Sequence, residues 1–398
     1  MFNIIELENG LENVQGFYCG ATNVGMRPNK EQGDVAFISS TVLCDISAVF
    51  TSNTFQAAPI KHFQKYPQNF QTNFVLINAK NANAMTGGKG IEDIDEIMHA
   101  SKKKYPQIVN PIMSSTGVIG YRLPINKITS AFDKLYFNNS KDSDAAARAI
   151  MTTDSFKKEL AFKVELEDGT SFSIAAICKG AGMINPAMAT MLCFVITDAA
   201  IPKADMDELL GLSTEASFNR ISVDGDTSTN DTVMLLANKQ SGNYHKEAFS
   251  QALNKIMFEL AMMILRDGEG ANKLVAFEVN GAKTLEDAKK ASMALSNSLL
   301  VKTALFGEDP NWGRIASTIG ASGIDCDDET LTIHYDDLLI YSSEFRELDK
   351  VREDKAYTIM KQESFKVTCD IGLGKFSYTS YGCDLSYEYV KINAEYRT

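Results

Sequence analysis

Thr190 stands in a setting that would suit a nucleophile for acyl transfer. Residues 179–189 contain two glycines and one proline, and residues 191–197 form a β-rich apolar run. A threonine hydroxyl stays protonated at neutral pH, but a free α-amine, whose pKa is about 8, can act as its base. Cleavage between Ala189 and Thr190 would release such an amine on the nucleophile itself. A glycine turn that leads into a core strand is the alternative interpretation.

The chain can make this cut without a second protein. The Thr190 hydroxyl attacks the Ala189 carbonyl carbon, the acyl group moves from nitrogen to oxygen, and water hydrolyses the ester. A strained backbone favours the shift, and a turn rich in glycine and proline can hold strain. The sequence therefore predicts two fragments, 1–189 and 190–398.

Residues 114–120 (SSTGVIG) offer donors for the second requirement of acyl transfer. The tetrahedral intermediate carries a negative oxygen, which preorganised hydrogen-bond donors stabilise. The Thr116 hydroxyl and the Gly117 N–H are donors of this kind, and glycine lets a ligand approach the backbone closely. We predict that Thr116 and Gly117 stabilise the oxyanion, although a turn without chemistry would have the same composition.

Residues 224–231 (DGDTSTND) form a dense run of carboxylates and hydroxyls. A calcium loop is excluded, because Thr229 occupies the position of the required glycine and Leu235 that of the bidentate glutamate. We predict a polar loop whose side chains cap their own backbone and which borders the active site.

Other motifs give weaker indications. Residues 86–90 (TGGKG) lack the full phosphate-loop pattern. Residues 266–270 (RDGEG) fit either a helix-end turn or a site where Glu269 binds a substrate ammonium.

The four histidines and seven cysteines show no metal-site spacing, so no metal is predicted. The odd, scattered cysteines fit reduced thiols in a cytosolic protein.

The bulk properties narrow the class of protein. The chain has 398 residues, enough for two or three structural units, and 39 basic against 51 acidic residues give a net charge of −12. Such a surface repels phosphate, so neither nucleic acid nor an anionic membrane is expected as a partner. The N-terminus lacks a basic signal segment, and the longest apolar runs are far shorter than the ~20 residues that span a bilayer. We expect a cytoplasmic protein.

The elements that must position these residues are predicted from periodicity. Asp-Gly at 168–169, between two alternating runs, indicates a β-hairpin. Together the patterns predict a compact α/β or α+β body. The predicted strands lie within 34–50, 73–78, 162–166, 171–177, 191–197, 331–335, 364–370 and 390–393, and the predicted helices at 92–104, 142–151, 204–212, 246–265 and 284–305.

Taken together, the motifs resemble the ornithine acetyltransferase family of arginine biosynthesis, also described as bifunctional glutamate N-acetyltransferase. They occur in one order over most of the chain. The matching segments are SSTGVIG (114–120), TTD (152–154), KGAGMINPAMATML (179–192), SFNRISVDGDTSTNDT (217–232), RDGEG (266–270), DPNWGRI (309–315) and CDLSYEYVKINAEYRT (383–398).

The resemblance implies an activity and a set of site residues. The precursor would split before Thr190, and the new N-terminal threonine would take acetyl from N-acetylornithine and pass it to glutamate. Thr116 and Gly117 would be the oxyanion donors. Lys179 can pair with a substrate carboxylate and Glu269 with its amine, which is a suitable clamp for a zwitterion. The residues implied to line the amino-acid site are Thr153, Lys179, Thr190, Glu269, Asn393 and Thr398.

The resemblance also implies a fold and an assembly. The fold would be a self-processing one with an N-terminal threonine nucleophile and mixed sheets sandwiched by helices, as in ornithine acetyltransferases and DmpA-like proteins. Two copies of each fragment, two alpha and two beta, would associate into a heterotetramer. No cofactor is implied, and the motifs leave open whether acetyl-CoA serves as a second acetyl donor.

Two other functions fit part of the pattern. A self-cleaving aminopeptidase or amidase would pass the acyl group to water instead of glutamate. A non-catalytic metabolite-binding protein would use the same pocket residues but would keep its chain intact. A hydrolase transfers the acyl group to water, whereas an acetyltransferase transfers it to glutamate. A binding protein would be purified as one intact chain, whereas either enzyme would be purified as two fragments.

Overall fold

The computed structural model describes residues 1–185 and 191–395 of the chain. The predicted mixture of strands and helices is confirmed. The strands are β1 (Phe2–Leu7), β2 (Phe17–Thr22), β3 (Val35–Phe50), β4 (Gln71–Asn78), β5 (Ile112–Ser115), β6 (Lys158–Leu166), β7 (Ser171–Lys179), β8 (Leu192–Thr197), β9 (Ile221–Ser222), β10 (Thr232–Ala237), β11 (Leu274–Ala282), β12 (Thr332–Tyr335), β13 (Leu338–Tyr341), β14 (Ser364–Asp370) and β15 (Phe376–Cys383).

The α-helices include segments that the sequence predicted as helical and others that it did not. They are α1 (Ala58–Phe63), α2 (Gly87–Lys104), α3 (Ile125–Thr129), α4 (Ser143–Ala149), α5 (Lys203–Ala216), α6 (Lys246–Arg266), α7 (Leu285–Asn297), α8 (Leu299–Phe306), α9 (Trp312–Ala321), α10 (Lys350–Met360) and α11 (Tyr387–Ala394).

The described residues form two compact units rather than a single body. Unit 1 contains residues 1–180, 191–219 and 227–261, and unit 2 contains residues 181–185, 220–226 and 262–395. Both units therefore take chain from each side of the predicted cleavage position. The fragments 1–189 and 190–398 stay a prediction.

Unit 1 is built on a mixed sheet of nine strands among the described residues, in the order β1-β6-β7-β8-β10-β3-β4-β5, with β2 beside β3. Strands β8 and β10 pair in parallel, and β7 and β8 pair antiparallel with Lys179 opposite Leu192. Strands β8 and β10 follow Thr190 in the sequence, whereas β7 and β3 precede it. The two predicted fragments would thus share one sheet.

The side chains of β3 show why this sheet can carry cores on both faces. Ala36 and Ile38 belong to one buried cluster, while Val35 and Phe37 belong to another. Successive side chains of a strand point to opposite faces, so a strand buried on both sides becomes apolar throughout. Helix α4 contributes to the first cluster and helix α2 to the second.

Unit 2 is built on a mixed sheet of six strands in its described part, in the order β13-β12-β14-β11-β15-β9. Val275, Phe277 and Val279 alternate along β11 and pack in one core with residues of α7, α9 and α10. Their period of two places all three on one face of the sheet.

Several local predictions are confirmed with small changes of boundary. The Asp-Gly hairpin joins β6 and β7, and the Gly169 N–H donates to Leu166 O at 3.0 Å. The acidic start of α4 is its cap, since the Asp142 side chain accepts a hydrogen bond from the Ala145 N–H at 2.9 Å.

Two predicted elements were wrong. The helix predicted at 284–305 is two helices, because Ser298 leaves the helical conformation and caps α8 through the Val301 N–H. The strand predicted at 390–393 lies within helix α11. Tyr389 and Asn393, four residues apart on one helical face, bind the carboxylates of Asp224 and Glu269 in unit 2, which favours the helix over the strand propensity of this segment.

Helix α6 is long and apolar enough to cross a membrane when judged by length and composition alone. Of its most apolar 18-residue window, 61% is buried inside the protein. Phe249, Leu253, Ile256 and Leu260 are fully buried at helical spacing, as the sequence predicted. These features are typical of a core helix.

Candidate active site

The predicted nucleophile and cleavage position, Thr190 and Ala189, lie outside the described residues, as does Thr398. Their neighbours define where the nucleophile is attached. Lys179 ends β7, and Met191, directly before β8, is 1% exposed. The Met191 N–H donates to the Asp231 carboxylate at 3.2 Å, and the Thr232 N–H donates to Met191 O at 3.1 Å. The residue that follows Thr190 is therefore held from two sides by the start of β10.

Lys179 belongs to a buried cluster of charges in unit 1. Asp154 lies between two ammonium groups, with its Oδ1 at 2.9 Å from Lys158 Nζ and its Oδ2 at 3.9 Å from Lys179 Nζ. The Gly180 N–H also donates to Asp154 Oδ1 at 2.7 Å, and the Thr152 N–H donates to Oδ2 at 2.9 Å. At 3.9 Å from Asp154 Oδ2, the Lys179 ammonium can also pair with an anionic group of a substrate.

The cluster also sets the protonation of Asp154. Burial alone would raise the pKa of this carboxyl, but the ammonium groups of Lys179 and Lys158 and the Thr152 N–H lower it to about 2. The carboxylate therefore stays charged at neutral pH. Thr153, predicted to line the site, is half-buried directly before it.

We expect Asp154→Asn to destabilise the fold by roughly 3–5 kcal/mol at neutral pH, because it leaves buried ammonium groups without their counter-ion. The folded pKa of about 2 lies below the ordinary value of 3.8, so the stability that Asp154 contributes is complete above pH 4. It is lost as the pH falls towards 2. Urea unfolding of both proteins at pH 7, 5 and 3 measures this difference.

Asp144→Asn is the matched control for this experiment. Asp144 also binds two cations, Arg148 and Lys157, but its side chain is 49% exposed. Exposed ion pairs contribute about 0–1 kcal/mol, so this variant should unfold almost as the wild type does. Equal losses for the two variants, or a loss at Asp154 that does not shrink between pH 5 and pH 3, would contradict the role assigned to the buried cluster.

The predicted oxyanion donors lie in a constrained loop of unit 1. Thr116 is 3% exposed and follows β5, and its N–H donates to Asn78 O at 3.0 Å. Gly117 has φ +133°, and a Cβ built on it would lie 2.2 Å from the carbonyl carbon of Lys80. Within residues 1–185 and 191–395, the Gly117 N–H has no hydrogen-bond acceptor. The close packing on Lys80 therefore fixes the position of this donor.

Asn230 connects this loop to the polar run at 224–231. It is 6% exposed, and its Nδ2 donates to Ala82 O at 2.7 Å and to Ser115 O at 2.8 Å. Ser115 directly precedes Thr116, so Asn230 fixes the backbone that carries the predicted oxyanion donors. The sequence showed a polar loop near the site but not this contact, because it joins residues 115 positions apart.

As predicted, part of the polar run caps its own backbone. The Asp226 N–H donates to Asp224 Oδ1 at 3.2 Å, and the Asn230 N–H donates to Ser228 Oγ at 3.1 Å. The described residues contain no group of three His, Cys, Asp or Glu side chains that could hold a metal ion.

Glu269 and Asn393 form a second group of predicted site residues, in unit 2. Glu269 is 9% exposed, and its Oε2 accepts a hydrogen bond from Asn393 Nδ2 at 2.7 Å. The Glu269 N–H donates to Ala181 O at 2.9 Å. A Cβ on Gly182 would lie 2.4 Å from the Glu269 carboxyl carbon, so a larger residue at 182 would require the Glu269 side chain to move. These contacts join the RDGEG motif, the KGAG motif and helix α11.

Comparison with known proteins identifies a family and several relatives of this chain. The ArgJ family model matches residues 18–398. The chain is 56% identical over 400 residues to the arginine biosynthesis bifunctional protein ArgJ of Wolinella succinogenes, covering 100% of both chains. It is 43% identical over 369 residues to a glutamate N-acetyltransferase of Methanocaldococcus jannaschii, covering 88% of this chain and 91% of that one. A crystal structure of ArgJ from Bacillus halodurans matches 51% of this chain and 98% of its own at 37% identity, with a TM-score of 0.48.

The chain belongs to the ArgJ family. The family resemblance inferred from the motifs is confirmed, since the family model covers nearly the whole chain and the relatives match it from end to end.

Proposed function

We propose that this protein is a glutamate N-acetyltransferase that moves acetyl from N-acetylornithine to glutamate through an acetyl-Thr190 intermediate. The similarity to a relative named as bifunctional ArgJ over the whole chain, and to one named as glutamate N-acetyltransferase over 88% of the chain, carries the proposal. The motifs that supply a nucleophile, oxyanion donors and charged groups for an amino acid are all present in the sequence.

The proposed reaction begins when the Thr190 hydroxyl attacks the acetyl carbon of N-acetylornithine and its α-amine takes the hydroxyl proton. The negative oxygen of the tetrahedral intermediate accepts hydrogen bonds from the Thr116 hydroxyl and the Gly117 N–H. Ornithine leaves as the free amine and takes the proton with it. The glutamate amine then attacks acetyl-Thr190, and N-acetylglutamate is released.

The charged residues serve the amino-acid part of both substrates. Lys179 pairs with a substrate carboxylate, and Glu269 pairs with an ammonium group. Asp154 Oδ2, 3.9 Å from Lys179 Nζ, holds the Lys179 ammonium in place. Asn393 Nδ2 orients Glu269 by donating a hydrogen bond to its Oε2. Thr153 and Thr398 complete the proposed contacts.

Cleavage before Thr190 would leave the fragments associated. Strands β8 and β10 pair with β7 and β3, so separation of the fragments would expose two buried sheet edges. Two copies of each fragment would form the complete enzyme, in the cytoplasm.

Acetyl-CoA is proposed as a second acetyl donor for glutamate, with no other cofactor, because the relative with 56% identity is named bifunctional.

Intact-mass spectrometry of the purified protein tests the proposal. We expect two fragments, 1–189 and 190–398, and an increase of about 42 Da on the second after N-acetylornithine is added without acceptor, as covalent catalysis requires. Addition of glutamate should remove the acetyl group and form N-acetylglutamate. Release of acetate at the same rate with and without glutamate would instead indicate a hydrolase. An intact, unmodified chain would indicate a binding protein.

A further inference from the structure

Asp384 is a buried carboxylate that binds the loop following Glu269. It is 3% exposed and comes directly after β15. Its Oδ1 accepts hydrogen bonds from the Asn272 N–H at 2.7 Å and the Lys273 N–H at 2.9 Å, and its Oδ2 accepts one from Asn272 Nδ2 at 2.9 Å. Hydrogen bonds to a charged acceptor are roughly twice as strong as those between neutral groups. Asp384 therefore fixes the backbone shortly after Glu269.

Ser386 binds the same loop through a second contact. Its hydroxyl donates to Gly270 O at 2.6 Å. Ser386 occupies the N-cap position of helix α11, where a serine oxygen ordinarily accepts a hydrogen bond from the helix backbone, but among the described residues it makes no capping bond. Gly270 packs against the same turn, because a Cβ on it would lie 2.6 Å from the Tyr389 nitrogen. The hydroxyl of Ser386 thus joins the loop to α11 instead of capping the helix.

The segment that carries these two side chains, residues 383–386 (CDLS), is itself fixed to regular structure. Cys383 ends β15 and pairs with β11 in the sheet of unit 2. Lys302 of α8 is 1% exposed, and its Nζ donates to Cys383 O at 2.5 Å. The Leu385 N–H donates to Lys302 O at 3.2 Å. A sheet and a helix therefore hold the CDLS segment, and such elements position groups more precisely than loops do.

The CDLS segment connects the two partners of one hydrogen bond. Glu269 precedes the loop that Asp384 and Ser386 bind. Asn393 belongs to helix α11, which begins directly after Ser386, and its Nδ2 donates to Glu269 Oε2 at 2.7 Å. A carboxylate has about four lone-pair sites, so Glu269 can still accept hydrogen bonds from an ammonium group. A shift of the CDLS segment would move this carboxylate and its amide partner relative to each other.

We propose that Asp384 and Ser386 are positioning residues that hold the Glu269 carboxylate in place for the side-chain ammonium of the acetyl donor. This inference rests on the proposed function, in which the donor is N-acetylornithine. The α-nitrogen of that donor is an amide, so its one ammonium group lies on the side chain. Binding groups must be held within about 0.5 Å of their productive geometry, which supporting hydrogen bonds provide. The CDLS segment thereby favours donors that carry a side-chain ammonium.

Asp384→Asn tests this role with little change in shape. The amide keeps an oxygen for the two backbone N–H groups, but it turns its NH2 group towards Asn272 Nδ2, so that two donors meet. We expect kcat/KM for N-acetylornithine to fall about 10- to 100-fold, because a small displacement of a binding group can cost this much. The loss should appear in KM with little change in kcat, since the ammonium is bound in the ground state and the transition state alike.

N-acetylnorvaline separates positioning from a general loss of structure. This donor has the same carbon chain as N-acetylornithine but no side-chain ammonium, so the Glu269 carboxylate contributes nothing to its binding. The wild type should use it poorly, and Asp384→Asn should use it as well as the wild type does. Ser386→Ala removes only the bond to Gly270 O. It should show the same selectivity with a smaller loss of about 3- to 10-fold, the size of one hydrogen bond.

A double-mutant cycle with Glu269→Gln measures the coupling directly. Because Asp384 acts through Glu269, Asp384→Asn should cost less than about 3-fold in a chain that already carries Glu269→Gln, as effects within one network are not additive. Asp336→Asn is the matched control, since Asp336 also belongs to unit 2 and its Oδ1 accepts the Lys366 N–H at 2.9 Å. This control should transfer acetyl as the wild type does, and urea unfolding checks that each variant is folded.

The comparison of donors distinguishes this inference from the proposed function. Equal losses with both donors, no loss with either, or the same loss from Asp384→Asn with and without Glu269→Gln would overturn the inference alone. If Asp384→Asn does not fold, the same comparison of donors with Ser386→Ala decides. A wild-type protein that transfers acetyl from neither donor would overturn the proposed function as well.

Discussion

Replacement of Thr190 by alanine is expected to leave one intact chain of 43.7 kDa and to abolish acetyl transfer. Without the hydroxyl there is no atom to attack the Ala189 carbonyl, so the α-amine that activates the nucleophile is never released. Chain cleavage and acetyl transfer therefore both depend on the hydroxyl oxygen of Thr190. Loss of a nucleophile of this kind costs on the order of 10⁶-fold in rate. Denaturing electrophoresis and an assay of N-acetylglutamate formation measure the two effects separately.

Two variants serve as controls for this result. Thr190→Ser keeps a hydroxyl and should still cleave, with reduced activity. Thr197→Ala removes a threonine hydroxyl from β8, one that donates to Ser173 O at 2.7 Å, and should cleave normally. Normal cleavage or acetyl transfer by Thr190→Ala would exclude Thr190 as the nucleophile.

The elements with the clearest local signals could be predicted from the sequence. The Asp-Gly hairpin and the capped helix α4 depend on residues close in the chain, and both appear where they were expected. The two wrong elements depend on contacts that the local pattern does not contain. Helix α11 is anchored by Glu269, which lies 124 positions from Asn393 in the sequence. Ser298 ends α7 and caps α8, although the apolar pattern continues through it.

The candidate site, like the fold, has some features that local residue patterns predict and others that only tertiary contacts create. The residue types of SSTGVIG identified possible donors, but the tight packing of Gly117 on the backbone of Lys80 is a tertiary feature. Lys179 was predicted as a ligand for a carboxylate, whereas its partner Asp154 was only part of a matching motif. Asp231 appeared as one carboxylate among several in a polar run. Its signal in the sequence is its position, immediately before the apolar strand β10, where a carboxylate is seldom buried.

Gly117→Ala is expected to lower kcat about 100-fold or more, comparable to the loss of one oxyanion donor. The added Cβ would lie 2.2 Å from the carbonyl carbon of Lys80 and 2.4 Å from the nitrogen of Asn81. These are backbone atoms, so the clash can be relieved only if the loop itself moves. The φ of +133° adds to the cost, because residues with a side chain rarely adopt it. The N–H of residue 117 must then leave the place where the oxyanion forms.

Gly120→Ala distinguishes a displaced donor from a general effect of alanine in this loop. Gly120 has φ +95°, also unfavourable for alanine, but its Cβ would meet nothing within 4 Å. Its backbone therefore has room to adjust without moving residue 117, and we expect activity close to that of the wild type. The decisive measurement compares kcat and KM of both variants with N-acetylornithine and glutamate. Because the oxyanion exists only in the transition state and the intermediate, the loss at Gly117 should appear in kcat with little change in KM. Equal kcat values for the two variants would show that the Gly117 N–H does not stabilise the oxyanion.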